Sequence, residues 1–558
     1  MNHYQNGQFT EAKELARSIT RQFPKYPFGW KALGALLGQL GKFSEALNAN
    51  EKAVKLSPQD PETHNNLGIA LKELGKLKEA KTSFSKAITL KTDFFQAYNN
   101  LGNTFKNLGE YEDAQISFKK AIELNPNFAE AHNNLGNIFN EQGKLNEAQN
   151  SYQKAITLKP DYAEAYNNLG NTLKDLAKNK DAEISFKKAI TLRPNFTEAY
   201  NNLGNIQKEL GKLNEAETNY QKAIELNPNF AEAHNNLGNI FNEQGKLNEA
   251  QNSYQKAITL KPDYAEAYNS LGVTLKELGN LNEAESSYKH AIKLNPNLAD
   301  AYWNLYGIQK NILIAEKWID KCLEVNKNYL VAKLTKAALR SYQGEYDLYE
   351  KFMQSEYKNH SYMRSFSWVF NLPNLPELHF NKWHFFDAII KKTDVAKPFY
   401  EFGVWRASSF KYLIKTFKKG YGFDTFEGLP EDWDVGDAIE KAGAYSSDGI
   451  VPKIKGGEFI VGKFEDTLPT FFSENRPIAS LINFDADLYS STICALNNSK
   501  LIMDKDTILI FDEFIINDSW EQDEFKALNE FCLANNLSYE VIAISFFTKQ
   551  VAVKLIGI

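Results

Sequence analysis

Asn66-Leu67-Gly68 returns as Asn100-Leu101-Gly102, Asn134-Leu135-Gly136, Asn168-Leu169-Gly170, Asn202-Leu203-Gly204 and Asn236-Leu237-Gly238, a step of 34 residues each time. Ala32-Leu33-Gly34 begins the series, and Ser270-Leu271-Gly272 and Asn304-Leu305 continue it. A fixed period of this size marks a repeat architecture, in which each unit buries its apolar face only against its neighbours. Small residues recur at constant offsets: Gly34 is followed by Ala46, Ala53 and then Pro58. Such spacing predicts two helices in close approach, and the proline predicts the turn into the next helix. Lys120–Asn167 is identical to Lys222–Asn269, 102 residues on, which reads as a block duplication of three repeats.

This pattern resembles the tetratricopeptide-repeat family, and it predicts an all-α solenoid over residues 1–355. The array starts in mid-repeat, because Phe9–Arg21 reads as a second helix. After Trp303 the period degrades, and Ile312–Val325 and Leu330–Met353 read as amphipathic helices capping the solenoid. The asparagines before Leu-Gly form a row along the array. An amide both donates and accepts, so such a row suits a peptide backbone of any sequence. The O-linked N-acetylglucosamine transferases carry a similar ladder on similar repeats and use it in that way. The plainer reading is that these amides are bonded within the array, which then acts as a scaffold or oligomerisation surface.

The length of 558 residues exceeds what one core holds, so at least two domains are expected. A formal charge of −6 gives no general reason to expect nucleic acid or an anionic membrane as partner. Three scattered cysteines argue against a disulfide framework and for a reducing compartment. With no signal-like N-terminus and no run long enough to span a bilayer, a cytoplasmic location is the expectation. No histidine follows His384. Chemistry in the last part of the chain therefore falls to carboxylates, lysine or tyrosine.

Residues 356–397 break the period and turn aromatic, with Phe366, Trp368, Phe380, Trp383, Phe385 and Phe386 among them. They read as a linker whose aromatics pack between domains, or alternatively as a lid. From Pro398, strands and helices alternate over 398–558. The strands read as Phe399–Gly403, Tyr421–Asp424, Glu458–Val461, Ala479–Asp485, Thr507–Asp512, Tyr539–Ile544 and Gln550–Ile556. Alternation of this kind predicts a mostly parallel, Rossmann-like sheet covered on both faces. In such sheets ligands sit beyond the carboxyl ends of the strands, where strand order reverses. Gly403 lets the backbone turn close to a ligand, and Ser408 and Ser409 start a helix whose amide ends suit a carboxylate. Asp424 is placed to accept from ribose hydroxyls. Asp485, Asp487, Asp512 and Glu513 at neighbouring strand ends repel one another unless neutralised, and Mg²⁺ is the simplest neutraliser. Asp487 reads equally as a helix cap.

Five motifs follow in order: Glu401-Phe-Gly-Val-Trp-Arg406, Phe423-Asp-Thr-Phe-Glu-Gly-Leu-Pro430, Gly462-Lys-Phe-Glu-Asp-Thr-Leu-Pro469, Asp485-Ala-Asp-Leu-Tyr-Ser-Ser-Thr492 and Ile510-Phe-Asp-Glu513. Together they resemble the macrocin O-methyltransferase family, over Pro398–Ile558. That resemblance implies a class I fold and S-adenosylmethionine, with Mg²⁺ assisting methylation of a hydroxyl on a sugar or glycosylated acceptor. It places Glu401, Gly403 and Ser408 at the methionine end, Asp424 at the ribose, and Gly462, Lys463 and Phe464 near the adenine. Asp485, Asp512 and Glu513 would bind Mg²⁺, with Asp485 or Asp487 as the base. Ala407 stands where the family usually has glycine, and Glu513 replaces a commoner aspartate. Two rivals stand beside this reading. One is a metal-dependent glycosyltransferase using Asp485-x-Asp487. The other is a non-catalytic repeat scaffold, binding a protein or peptide partner, with a degenerate terminal domain.

Overall fold

Pairs of helices of 13 and 14 residues alternate through the repeats, as in Phe95–Asn107 with Tyr111–Leu124 and Ala129–Glu141 with Leu145–Leu158. The computed structural model describes residues 9–434, 439–447 and 449–558. Partner helices are joined at a residue in the left-handed region, where glycine carries no Cβ penalty. Gly109 and Gly143 have φ of 77° and 70°, and Ala177 holds the same position at 56°.

The helical glycines have a different cause. An alanine Cβ at Gly136 would lie 2.7 Å from Cε1 of Tyr152, a ring carried by the second helix of the same repeat. Gly102 faces Phe118 and Gly170 faces Phe186 in the same way, at 2.7 and 2.6 Å. Ala148 and Ala155 beside Tyr152 are fully buried. The glycine, the ring and the two alanines thus form one close helix–helix contact.

Successive repeats are tied by polar groups. Asn100 Nδ2 donates to Asn65 Oδ1, Asn134 to Asn99, Asn168 to Asn133 and Asn202 to Asn167, at 3.0 to 3.1 Å. The acceptors are buried and the donors half-exposed. The ladder the sequence shows is therefore bonded within the array through its donors. Ion pairs such as Lys81–Glu110 at 2.8 Å and Lys159–Glu130 at 3.2 Å repeat at a spacing of 29 residues.

The chain forms two compact units, one reaching Ala233 and one from His234 onward. In the second, the last repeats continue through Ala265–Glu277, Leu281–Leu294 and Ala299–Tyr306. The expected helix Leu330–Met353 is two helices, Leu330–Tyr342 and Asp347–Met353, because Gly344 at φ 89° stops the first. No helix among the described residues is long and apolar enough to cross a membrane.

The C-terminal region is a mixed α/β domain. Its strands are β1 (Glu377–His379), β2 (Phe399–Phe402), β3 (Gly420–Asp424), β4 (Trp433–Asp434), β5 (Ile439–Glu440), β6 (Gly457–Val461), β7 (Leu481–Phe484), β8 (Ile508–Phe511), β9 (Ser538–Ser545) and β10 (Val551–Ile556). Eight of them form one sheet in the order β1-β9-β10-β8-β7-β2-β3-β6. β10 runs antiparallel to β8 and β9, and the other neighbours are parallel. Strand order reverses between β2 and β7, which opens a crevice at their carboxyl ends. Phe423, Phe402, Phe484 and Phe511 stack in register across four strands, with ring centroids 4.8 to 5.4 Å apart. Part of the Glu427–Gly456 insertion, residues 435–438 and 448, lies outside the described residues.

Residues 356–397, read from sequence as a linker, belong to this core. They supply the edge strand β1, and Phe366, Phe380, Phe385 and Phe386 are buried. One apolar cluster runs from Tyr302 and Ile319 through Phe366 to Phe484 and Leu555. The cap helices and the sheet therefore share a core.

Two glycine substitutions separate close contact from helix propensity. Gly38→Ala has open space and gains up to about 1 kcal/mol of helix propensity. Gly136→Ala meets the Tyr152 ring, and overpacking costs about 1–3 kcal/mol, which outweighs that gain. Urea unfolding of the two variants is expected to move in opposite directions; equal stabilisation would contradict the ring–glycine account.

Candidate functional site

At the carboxyl ends of β2, β3, β7 and β8 lies a cavity of about 340 Å³. Every sequence-selected residue except Gly462 lines it: Glu401, Gly403, Ser408, Asp424, Lys463, Phe464, Asp485, Asp487, Asp512 and Glu513. The strand ends bring these together because parallel neighbours in register finish at one level. Glu401 on β2 lies opposite Asn483 on β7 and Gly422 on β3.

Several of these residues do other work than the sequence suggests. Gly403 has φ of 87°, and a Cβ there would sit 1.7 Å from the Asp485 carbonyl oxygen. Its lack of a Cβ lets the backbone after β2 approach that after β7 closely. Asp424 accepts three backbone amides. Its Oδ2 accepts from the amides of Val404 and Trp405 at 2.6 and 2.7 Å, and its Oδ1 accepts from the amide of Phe426 at 2.6 Å. It clamps the loop after β2. The helix that Ser408 and Ser409 start is short, Ser408–Leu413, and Ala407 enters it from the left-handed region at φ 61°. Trp405, Phe426, Tyr445 and Asp487 also have positive φ, so backbone strain concentrates around this cavity.

Part of the acidic set is engaged from within. Asp512 Oδ1 accepts from Gln550 Nε2, and Glu513 Oε2 accepts from Lys549 Nζ at 2.7 Å. Lys382 Nζ lies 3.1 Å from Glu277 Oε2. Burial lowers Lys382, but the charges of Glu277, Asp512 and Asp485 outweigh it and hold its ammonium above the usual lysine range. Burial also opposes ionisation of Glu277, yet Lys382 and Lys276 bring it down to about 2. Asp485 and Asp487 are pushed well above the usual range, first by burial and then by neighbouring carboxylates. Burial raises Asp512 and Glu513 as well. Glu401 is 1% exposed, and its Oε2 has no hydrogen-bond partner. Lys382, Glu277 and Lys549 escape sequence reasoning because they come from the aromatic segment, a repeat helix and the last hairpin. Only the uncompensated charge of the acidic set hinted at them.

These residues do not fit a divalent ion. Among the described residues, no group of three or more His, Cys, Asp or Glu side chains is arranged to hold a metal. A carboxyl raised by burial in the folded state stabilises the fold while protonated, and costs stability as pH rises from about 4, its unfolded value, through the folded one. Asp485→Asn/Asp487→Asn removes that cost, and Asn tolerates the left-handed backbone at 487. The double variant is therefore expected to gain melting temperature over the wild type progressively between pH 5 and 8, by about 1–3 kcal/mol. Parallel curves across that range would show that these groups are ionised at no cost.

Tetratricopeptide-repeat models match residues 34–109, 136–176 and 204–279, and further models of the same repeat match 95–128, 117–150, 163–196, 185–218 and 265–298. No curated protein matches the chain. Among solved structures, the chain is similar to that of Pseudomonas aeruginosa pilF, at 23% identity over 36% of this chain and 92% of that one, with a TM-score of 0.34. It is similar to YrrB, described as a TPR protein with an unusual peptide-binding site, at 28% identity over 33% and 95%, with a TM-score of 0.29. MamA is 30% identical over 30% and 97%, with a TM-score of 0.28. The methyltransferase reading is corrected, and with it the reading of the chain as an enzyme: among the described residues no group of three or more His, Cys, Asp or Glu side chains is arranged to hold a metal, and Lys549 and Gln550 already engage Glu513 and Asp512. What the repeated pairs of helices and the family matches establish together is that residues 34–298 are a tetratricopeptide-repeat array.

Proposed function

We propose that the protein is a non-catalytic tetratricopeptide scaffold whose repeats hold an extended peptide segment of a protein partner. The amide ladder carries this reading. Asn100, Asn134, Asn168 and Asn202 are half-exposed at equal repeat positions, and each is held by a hydrogen bond to the preceding repeat. A fixed amide loses little side-chain entropy on binding and keeps its carbonyl to accept from a backbone N–H. On Phe95–Asn107, positions 100, 103 and 107 share one helical face, so asparagines run down it. Peptide binding, stated of YrrB by its title, is adopted here on the ladder alone.

Backbone recognition implies tolerance of sequence and loss in steps. A pool of extended peptides with randomised side chains, followed by fluorescence anisotropy, is expected to bind the full chain. Asn134→Ala/Asn168→Ala removes two contacts of about 1 kcal/mol each and weakens binding about 10- to 30-fold. Unchanged affinity in that variant would remove the ladder from recognition.

A further inference from the structure

The cavity has a second wall, made by the repeats themselves. Asn242 and Glu277 end the first helices of two successive repeats, and both line the cavity together with Asp485 and Asp487. Glu277 lies seven residues, two helical turns, after Ser270, which holds the ladder position of its repeat. Residues seven apart share a helical face. The face that carries the ladder therefore ends, at this repeat, on the cavity. At the same position Asn107, Glu141, Asp175 and Glu209 are exposed, whereas Glu277 is half-buried.

The chemistry of the cavity selects what enters it. Eight carboxylates and three cationic side chains line it. Asp424, Asp512 and Glu513 are engaged by amides, Gln550 and Lys549. Asp485 and Asp487 make no side-chain hydrogen bond among the described residues, and the buried Glu401 Oε2 has no partner. These three acceptors sit at the ends of two neighbouring strands, which suits a group with several N–H donors on an extended stem. Trp405 and Tyr445, with ring centroids 5.7 Å apart, offer an apolar surface to such a stem and π faces to its charge.

We infer that the cavity receives a lysine or arginine of a peptide lying along the last repeats, where the ladder continues as Asn304 donating to Asn269. This inference rests on the peptide-binding reading above and adds a specificity that the ladder lacks. A basic residue entering here bridges the repeat wall at Glu277 and the strand ends at Asp485 and Asp487. The α/β domain thereby reads one residue of a peptide whose backbone the repeats hold.

The test uses the full chain and three labelled peptide pools with randomised flanks and a fixed central residue: lysine, norleucine or glutamate. Fluorescence anisotropy is expected to give the lysine pool a Kd at least about tenfold below that of norleucine, with glutamate weakest. Salt is expected to narrow the gap, because the cleft is open to solvent on one side. In Asp485→Asn/Asp487→Asn the lysine preference is expected to vanish while the norleucine pool binds as before. Glu277→Gln, on the opposite wall, is expected to reduce the preference independently, and thermal melts confirm that both variants fold. Equal Kd values for lysine and norleucine would overturn the pocket assignment and leave the groove reading standing. Retention of the lysine preference in both folded variants would overturn it as well. Absence of binding by any pool would overturn the groove reading and the pocket with it.

Discussion

A ring lying flat against a helical glycine recurs from Gly68 and Phe84 to Gly272 and Tyr288, always sixteen residues apart. That contact fixes how closely the two helices of a repeat approach. Across repeats the amide ladder adds a second tie, at the same positions in each unit. The start of the array shows the same constraint met differently. Gly34 faces Asn50, whose amide donates to the Asn66 carbonyl instead of offering a ring. In these arrays stability is close to a sum over neighbours, so a uniform contact keeps every interface equivalent.

The buried acids of the second unit pose the opposite problem, a charge that cannot be repeated away. Strand ends in register bring Glu401, Asp485, Asp487, Asp512 and Glu513 to one place. The protein offsets part of that charge with Lys382 and Lys549 and leaves the rest as carboxyls that resist ionising. The energetic cost is carried by an apolar core that the cap helices and the sheet share.

The repeats were legible because a period of 34 leaves its mark on every unit, and the strands because alternation of apolar runs and helices does so locally. Strand boundaries agree within a few residues. Tertiary roles were less legible. Asp424 and Gly403, singled out in sequence as ligand residues, also hold the loop after β2 and allow a close approach to the Asp485 backbone, which only the fold reveals. The motif order placed the acidic set at one crevice correctly, yet could not show that its counter-charges come from Lys382 in the aromatic segment and Lys549 in the last hairpin. Chemical function was the least legible, because an Asp-x-Asp after a strand looks the same whether or not its oxygens converge on an ion.

Identical sequence here lives in two settings. Gly143 has open space around it, while Gly245, 102 residues on in the duplicated block, sits against Trp405 and Arg406. A side chain costs backbone strain in the first copy and adds a clash with Trp405 and Arg406 in the second, so the two positions are under unequal constraint despite their identity. Recombination between them adds or removes three whole repeats in frame, and it leaves the helix next to Trp405 unchanged in either product. The number of repeats ahead of the cavity is therefore free to vary between lineages at a single genetic step, while the wall they lead to stays fixed.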